Sequence, residues 1–192
     1  MNEKNTSRLE AFSDGVMAII ITITVLELHD PVREHVSALF PLIPLFATYA
    51  LSFETIGTYW NNHHHLFRAT KEISTGIMWA NLHLLFWLSL IPFATAWLGN
   101  NFGAEWPTAF FASILFLCAT AYTILVRAIL ARQGRDSALA EAIGSDIKGN
   151  VSLIAYALAI GSAFFAPWLS YALIIAVAVM WFIPDSRLKM FV

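Results

Sequence analysis

Six stretches of this chain are apolar over bilayer-matching lengths, and few polar positions separate them. They run over about 8–28, 38–66, 74–98, 107–132, 147–166 and 168–184, and a membrane-crossing helix needs about 20 such residues. The pattern predicts an all-α, polytopic membrane protein with six transmembrane helices, forming one domain over 1–192. Pro41 and Pro44 suit a first helical turn or a kink at the start of the second stretch, and Pro92 predicts a kink near the far end of the third. The fifth and sixth meet in a tight turn at Ala166-Pro167-Trp168, and the sixth stops at Pro184-Asp185. The longest connection, about 133–146, is polar enough to lie in water or at the membrane interface.

Composition agrees with this pattern. Of the 192 residues, 58% are hydrophobic and 12% charged, against about half and a quarter in a soluble domain. A net charge of −2 points to no nucleic-acid partner, and the single cysteine, Cys118, allows no disulfide framework or cysteine metal site within one chain. The start, MNEKNTSRLEAFSD, does not resemble a secretory signal, so the first helix is expected to be retained.

Basic residues set the expected orientation. With six spans, Lys4, Arg8, Arg68, Lys71, Arg127, Arg132, Arg135, Lys148, Arg187 and Lys189 fall on one side and Arg33 on the other. The positive-inside rule then places both termini in the cytoplasm, with the chain in the cell's inner (plasma) membrane. Trp60, Trp97, Trp106, Trp168 and Trp181, near span ends, suit an interfacial belt.

The first helix, RLEAFSDGVMAIIITITVLEL, repays reading by angle. At about 100° per residue from Arg8, Phe12 falls at about 40°, Gly15 at about −20°, Ile19 at about 20°, Thr22 at about −40°, Ile23 at about 60° and Leu26 at about 0°. These share one face, a stripe of branched apolar residues with one hydroxyl. Ser13, at about 140°, and Asp14, at about 240°, point elsewhere. Asp14 lies about 9 Å along the helix from Arg8, a depth at which a carboxyl must face protein or a wet cavity. The second stretch returns to the same level with Trp60-Asn61-Asn62-His63-His64-His65, and the third leaves from it with Asn81 and His83. Indole, amide and imidazole groups all donate to carboxylates. A buried polar layer follows, either as a bundle fastener or as part of a transport machine.

Other features are weaker. Three consecutive histidines point in different directions on a helix, unlike the i, i+4 spacing of helical metal ligands. Glu54 either relays protons or sits paired or protonated within the bundle. Glu27 and His29, at the outer end of the first helix, either concentrate cations or are plain interfacial residues. No phosphate-binding glycine loop, HExxH, GxSxG or TVGYG-like filter is present, and nothing points to a cofactor or a structural metal.

Arg8-x-x-x-Phe12-Ser13-Asp14, followed by Gly15, Ala18, Ile19, Thr22 and Val25-Leu26-Glu27, resembles the RxxxFSD signature of the transmembrane protein 175 family of lysosomal potassium channels and their bacterial members; WNNHHHLF resembles its second-helix pattern. The resemblance covers essentially the whole chain. It implies a passive cation channel, not an enzyme, with first helices lining a central pore and no pore loop. It implies that Ile19, Ile23 and Leu26 form the constriction, that Thr22 is linked to selectivity with a permeant potassium ion near it, and that Arg8, Phe12, Ser13, Asp14, Asn61, His64 and His83 support the pore as a polar network. It also implies a homotetramer conducting potassium and other monovalent cations, with protons as a further permeant species. Two rivals stand beside it: a metal-dependent membrane enzyme drawing together His64, His83 and Glu54, and a coupled cation transporter, for which inverted repeats and broken midplane helices would be expected.

Overall fold

The computed structural model describes residues 3–31, 34–134, 137–144 and 146–182. Arg33, Arg135, Arg187, Lys189 and the Pro184-Asp185 stop lie outside the described residues. Within them every regular element is helical: α1 Glu3–Leu26, a 3₁₀ segment Val36–Leu42 running into α2 Ile43–Arg68, α3 Thr75–Leu88, α4 Ile91–Asn100, α5 Glu105–Gln133, α6 Ala138–Ile143, α7 Ile147–Ser162 and α8 Pro167–Phe182.

The prolines act where their chemistry requires. Pro41 lies inside the 3₁₀ segment and Pro44 in the first turn of α2, where a missing N–H costs nothing. Pro92 stands in the first turn of α4; its missing N–H leaves the third stretch divided at Ser89-Leu90, with Ala94 N–H donating to Leu90 O at 3.1 Å to restart the helix. The 133–146 connection differs from its expected form. Ser137 caps α6 by accepting from Ala140 N at 3.2 Å, and Leu139 is buried. A polar average had hidden a short helix with Leu139 and Ile143 spaced i, i+4.

Four helical segments are long and apolar enough to cross a membrane: Thr6–Leu26, Val36–Arg68, Thr75–Asn100 and Glu105–Gln133. α7 and α8 have 16 residues each, about 24 Å of helix against a hydrocarbon core of about 30 Å. The fold is thus all-α with four full-length membrane helices and two shorter apolar ones.

α5 is the hub, packing against α3, α4, α7 and α8. Phe111, Leu115, Cys118, Leu125 and Ile129 along it are buried. α2 and α4 approach closely at Gly99, where an added Cβ would lie 2.9 Å from Leu45 Cα, and Ser52 and Thr95 share a 2.6 Å hydroxyl contact between the two helices. α1 lies at the margin, held by α2, α3 and α4.

Candidate functional site

α1 has two unlike faces. Ser13, Met17, Ile20 and Thr24 are buried, at 3% exposure or less. They recur at i, i+4, i+7 and i+11, one stripe of a helix. On the opposite side Arg8, Phe12, Gly15, Ile19, Thr22, Ile23 and Leu26 are all exposed, with Ile19 at 58% and Leu26 at 78%. Nothing in the protomer covers a continuous row of large apolar side chains. Within it, Thr22 Oγ1 donates to Ile19 O at 2.8 Å, so its only hydrogen is used and its lone pairs face outward.

The buried side of α1 is clamped by polar contacts. Ser13 Oγ donates to Leu9 O and accepts from Asn81 Nδ2, both at 2.9 Å. Asn81 Oδ1 lies 2.7 Å from His63 Nε2; an amide oxygen only accepts, so Nε2 carries the hydrogen. The His63 ring stacks on Phe67, with centroids 4.3 Å apart. Two further contacts flank this chain: Trp60 Nε1 donates to Asp14 Oδ1 at 3.0 Å, and His64 Nδ1 meets Glu10 Oε1 at 2.7 Å. Three helices are therefore joined at one level through fully buried Ser13, His63 and Asn81. Removing one member of such a set strands its partners, at about 1–3 kcal/mol for each buried group left unpaired.

The residues expected in this network do not all meet. Ser13, Asp14 and His64 join it. His83 is exposed and accepts from Trp87 Nε1 at 2.8 Å, one turn along its own helix. Asn61 is exposed at the end of α2. Arg8 and Phe12 border an open groove between α1 and the start of α3, with Ser74 and Met78 on its other wall. Trp60, His63 and Asn81, polar groups the sequence places at this level, complete the layer together with Glu10. Helical phase explains the difference on α3. Ile77, Ala80, Asn81, Leu84, Leu85 and Leu88 form its buried stripe, and Asn81 fits that i, i+3, i+4 rhythm. His83 lies about 200° round from Asn81, so the two cannot face the same neighbour. The signal was present in the sequence as a lone amide inside an apolar stripe.

His64, His83 and Glu54 have separate partners, Glu10, Trp87 and Thr58 respectively. Among the described residues no three His, Cys, Asp or Glu side chains are placed to hold a metal ion.

The fold and this helix define a multi-span helical membrane protein whose first helix is clamped on one side and bare on the other. Residues 8–92 match the family model of the endosomal/lysosomal potassium channel TMEM175. A potassium channel of a Chryseobacterium species is 50% identical over 182 residues, covering 95% of both chains. One from Streptomyces collinus is 30% identical, covering 90% of this chain and 88% of that protein. A crystal structure of a lysosomal potassium-selective channel TMEM175 homolog from Chamaesiphon minutus superposes with a TM-score of 0.85 at 28% identity, over 95% of this chain and 99% of that one. The chain belongs to the TMEM175 family. These relatives are ion channels, not enzymes.

Proposed function

We propose that this chain is one subunit of a passive, potassium-permeable cation channel whose path is lined by the bare face of α1 from several copies. The observation that carries this reading is the exposure of Ile19, Ile23 and Leu26 in one row, opposite a face held by buried hydrogen bonds. A single helix encloses nothing, whereas copies around an axis do, and closed cyclic symmetry is the usual arrangement. A homotetramer is the assembly we assign.

Rings of Ile19, Ile23 and Leu26 exclude water at rest and pass ions when widened or wetted. A dehydrating ion loses less as potassium than as the more tightly hydrated sodium, so a dry constriction favours potassium without a carbonyl cage. The outward lone pairs of Thr22 replace part of the lost water. The clamp of Ser13, Asn81 and His63 with the Trp60–Asp14 contact holds each helix at a fixed angle, which a ring of facing side chains requires. In this reading α7 and α8 also cross the membrane, giving six spans, with both termini in the cytoplasm of a bacterial plasma membrane.

The test is flux through liposomes holding purified protein, with potassium, sodium and protons compared and no counter-substrate supplied. Potassium movement down its gradient without a coupled ion, from particles whose measured mass is four chains, supports the reading. A stable monomer, or flux that requires an opposing substrate, overturns it.

A further inference from the structure

On the other side of α2 from this clamp, α2, α5, α7 and α8 line a partly open cavity of about 50 Å³, to which α1 contributes nothing. Its wall includes Glu54, Thr58, Thr123, Asp146, Ser152 and Tyr156. The hydrogens of the wall's hydroxyls are largely committed. Thr123 Oγ1 donates to Ala119 O at 2.9 Å and Ser152 Oγ to Lys148 O at 2.8 Å. Thr58 Oγ1 donates to Glu54 Oε1 at 2.8 Å, and Tyr122 O–H to Asn62 O at 3.2 Å. The Trp181 Nε1 hydrogen goes to Ser152 Oγ at 2.9 Å. A hydroxyl has one hydrogen, so these groups offer the cavity lone pairs; the hydroxyls of Tyr59 and Tyr156 on the same wall are the ones not so committed. Against them stands Glu54 Oε2, buried and without a hydrogen-bond partner. Asp146 adds a second carboxylate, of which Oδ1 accepts from Gly149 N at 3.1 Å.

Buried acceptors around an uncompensated carboxylate are costly unless the acid takes up a proton or something positive or donating enters. Lys148 sits over the Trp181 ring, 5.5 Å from its centroid, and does not bond Glu54 Oε2. The volume decides what else fits. About 50 Å³ holds one ion with a water or two. The rings of Tyr59, Tyr122, Tyr156 and Trp181 complete the wall; aromatic surroundings suit a large, weakly hydrated cation better than a small, tightly hydrated one.

We propose that this cavity is a second cation site, off the conduction path, that holds one potassium-sized monovalent cation against Glu54 and ties α7 to α2 and α5. The inference does not rest on the α1 face being the pore. Thallium(I), a potassium stand-in with strong anomalous scattering, tests it on crystals of the full chain grown in thallium nitrate. Wild-type protein gives a peak beside Glu54 Oε2, and Glu54→Gln loses that peak while keeping any peaks elsewhere. Thallium only along the assembly axis, a cavity holding water alone, or a cavity peak that survives Glu54→Gln overturns the proposal. The wild-type map decides even if the variant does not fold. In solution at constant ionic strength, exchanging choline for potassium raises the wild-type thermal midpoint by about 3 °C. The rise persists in Thr22→Val, whose change lies on α1, and vanishes in Glu54→Gln. An equal rise in Glu54→Gln refutes the site and leaves the conduction reading untouched.

Discussion

α1 and α5 are both long, apolar helices with few charges, yet they have opposite fates. In its most apolar stretch α5 is 56% buried and α1 only 22%. α5 packs against four other helices and fills the bundle with Phe111, Leu115, Leu125 and Ile129. α1 leaves Ile19, Ile23 and Leu26 open and is held from behind by Ser13, Asp14 and Glu10. In a membrane, apolar surface alone does not drive helices together, because lipid tails are as apolar as leucine. Packing holds α5, whereas α1 adds buried hydrogen bonds to the packing of Met17 and Ile20. A helix fixed by polar contacts on one side can keep its other side free for assembly around an axis.

The largest effects test whether the two helices differ as described. Phe111→Ala in α5 is expected to cost about 3–5 kcal/mol, and Phe12→Ala on the open face of α1 no more than about 0.5 kcal/mol of protomer stability. Denaturant titration in micelles, followed by tryptophan fluorescence, measures both; equal losses would break the comparison. The same contrast exists between neighbours on α1. Ile20 is buried at 3% exposure, so Ile20→Asn places an amide in the core and costs about 3 kcal/mol, seen as lost folded yield.

Ile19→Asn should leave yield and oligomer mass unchanged. If copies of Ile19 form the proposed ring, amides would stand where it excluded water. Basal cation flux is expected to rise roughly tenfold, equivalent to about 1.4 kcal/mol off the barrier, and potassium preference to fall. If flux and selectivity stay as in wild type, the constriction is not at Ile19, and Ile23 and Leu26 are the next positions to examine.

The clamp gives changes in stability and assembly. Asn81→Ala leaves the buried His63 N–H without its acceptor and removes the donor to Ser13, and is expected to cost about 2 kcal/mol. Asp14→Ala loses the Trp60 contact and is expected to lower the yield of the proposed tetramer in native mass measurement, with little change in the potassium-to-sodium ratio. A normal tetramer with an altered ratio would put Asp14 on the ion path. The smallest effect belongs to Thr22→Val, which keeps shape and removes the outward lone pairs; we expect roughly a twofold fall in potassium preference, worth about 0.4 kcal/mol, and unchanged stability.

How much of this was legible beforehand depends on the kind of signal. The two-sided character of α1 follows from residue spacing, since helical angle is a local property: the row Phe12, Ile19, Thr22, Ile23, Leu26 is the row the structure leaves open. That the end of α2 meets the start of α1 also follows, from span lengths and alternating direction, and Trp60 reaches Asp14 accordingly. Which polar groups pair was less accessible. His63 and His64 differ by about 100° on one helix, and one goes to Asn81 while the other goes to Glu10. His83 and Asn81 lie two residues apart at one level, but only Asn81 is in phase with the apolar stripe of α3.

The sequence by itself determined the helical class, the apolar stretches and the faces of α1, because hydropathy and a period of 3.6 residues are written locally. It also placed the breaks at Pro41, Pro44 and Pro92, since a missing N–H acts wherever it falls. Only the tertiary structure decided that α5 and not α1 is the hub, that Ser13, Asn81 and His63 form one chain, and that Glu54 faces a cavity walled by Thr123, Ser152 and Tyr156. Those outcomes depend on which of several apolar helices are neighbours and at what rotation. Lipid and protein are nearly equivalent solvents for such helices, so the choice among neighbours rests on a few close contacts, such as Gly99 against Leu45 and Ser52 against Thr95, whose partners lie 54 and 43 residues apart and meet only once the chain has folded.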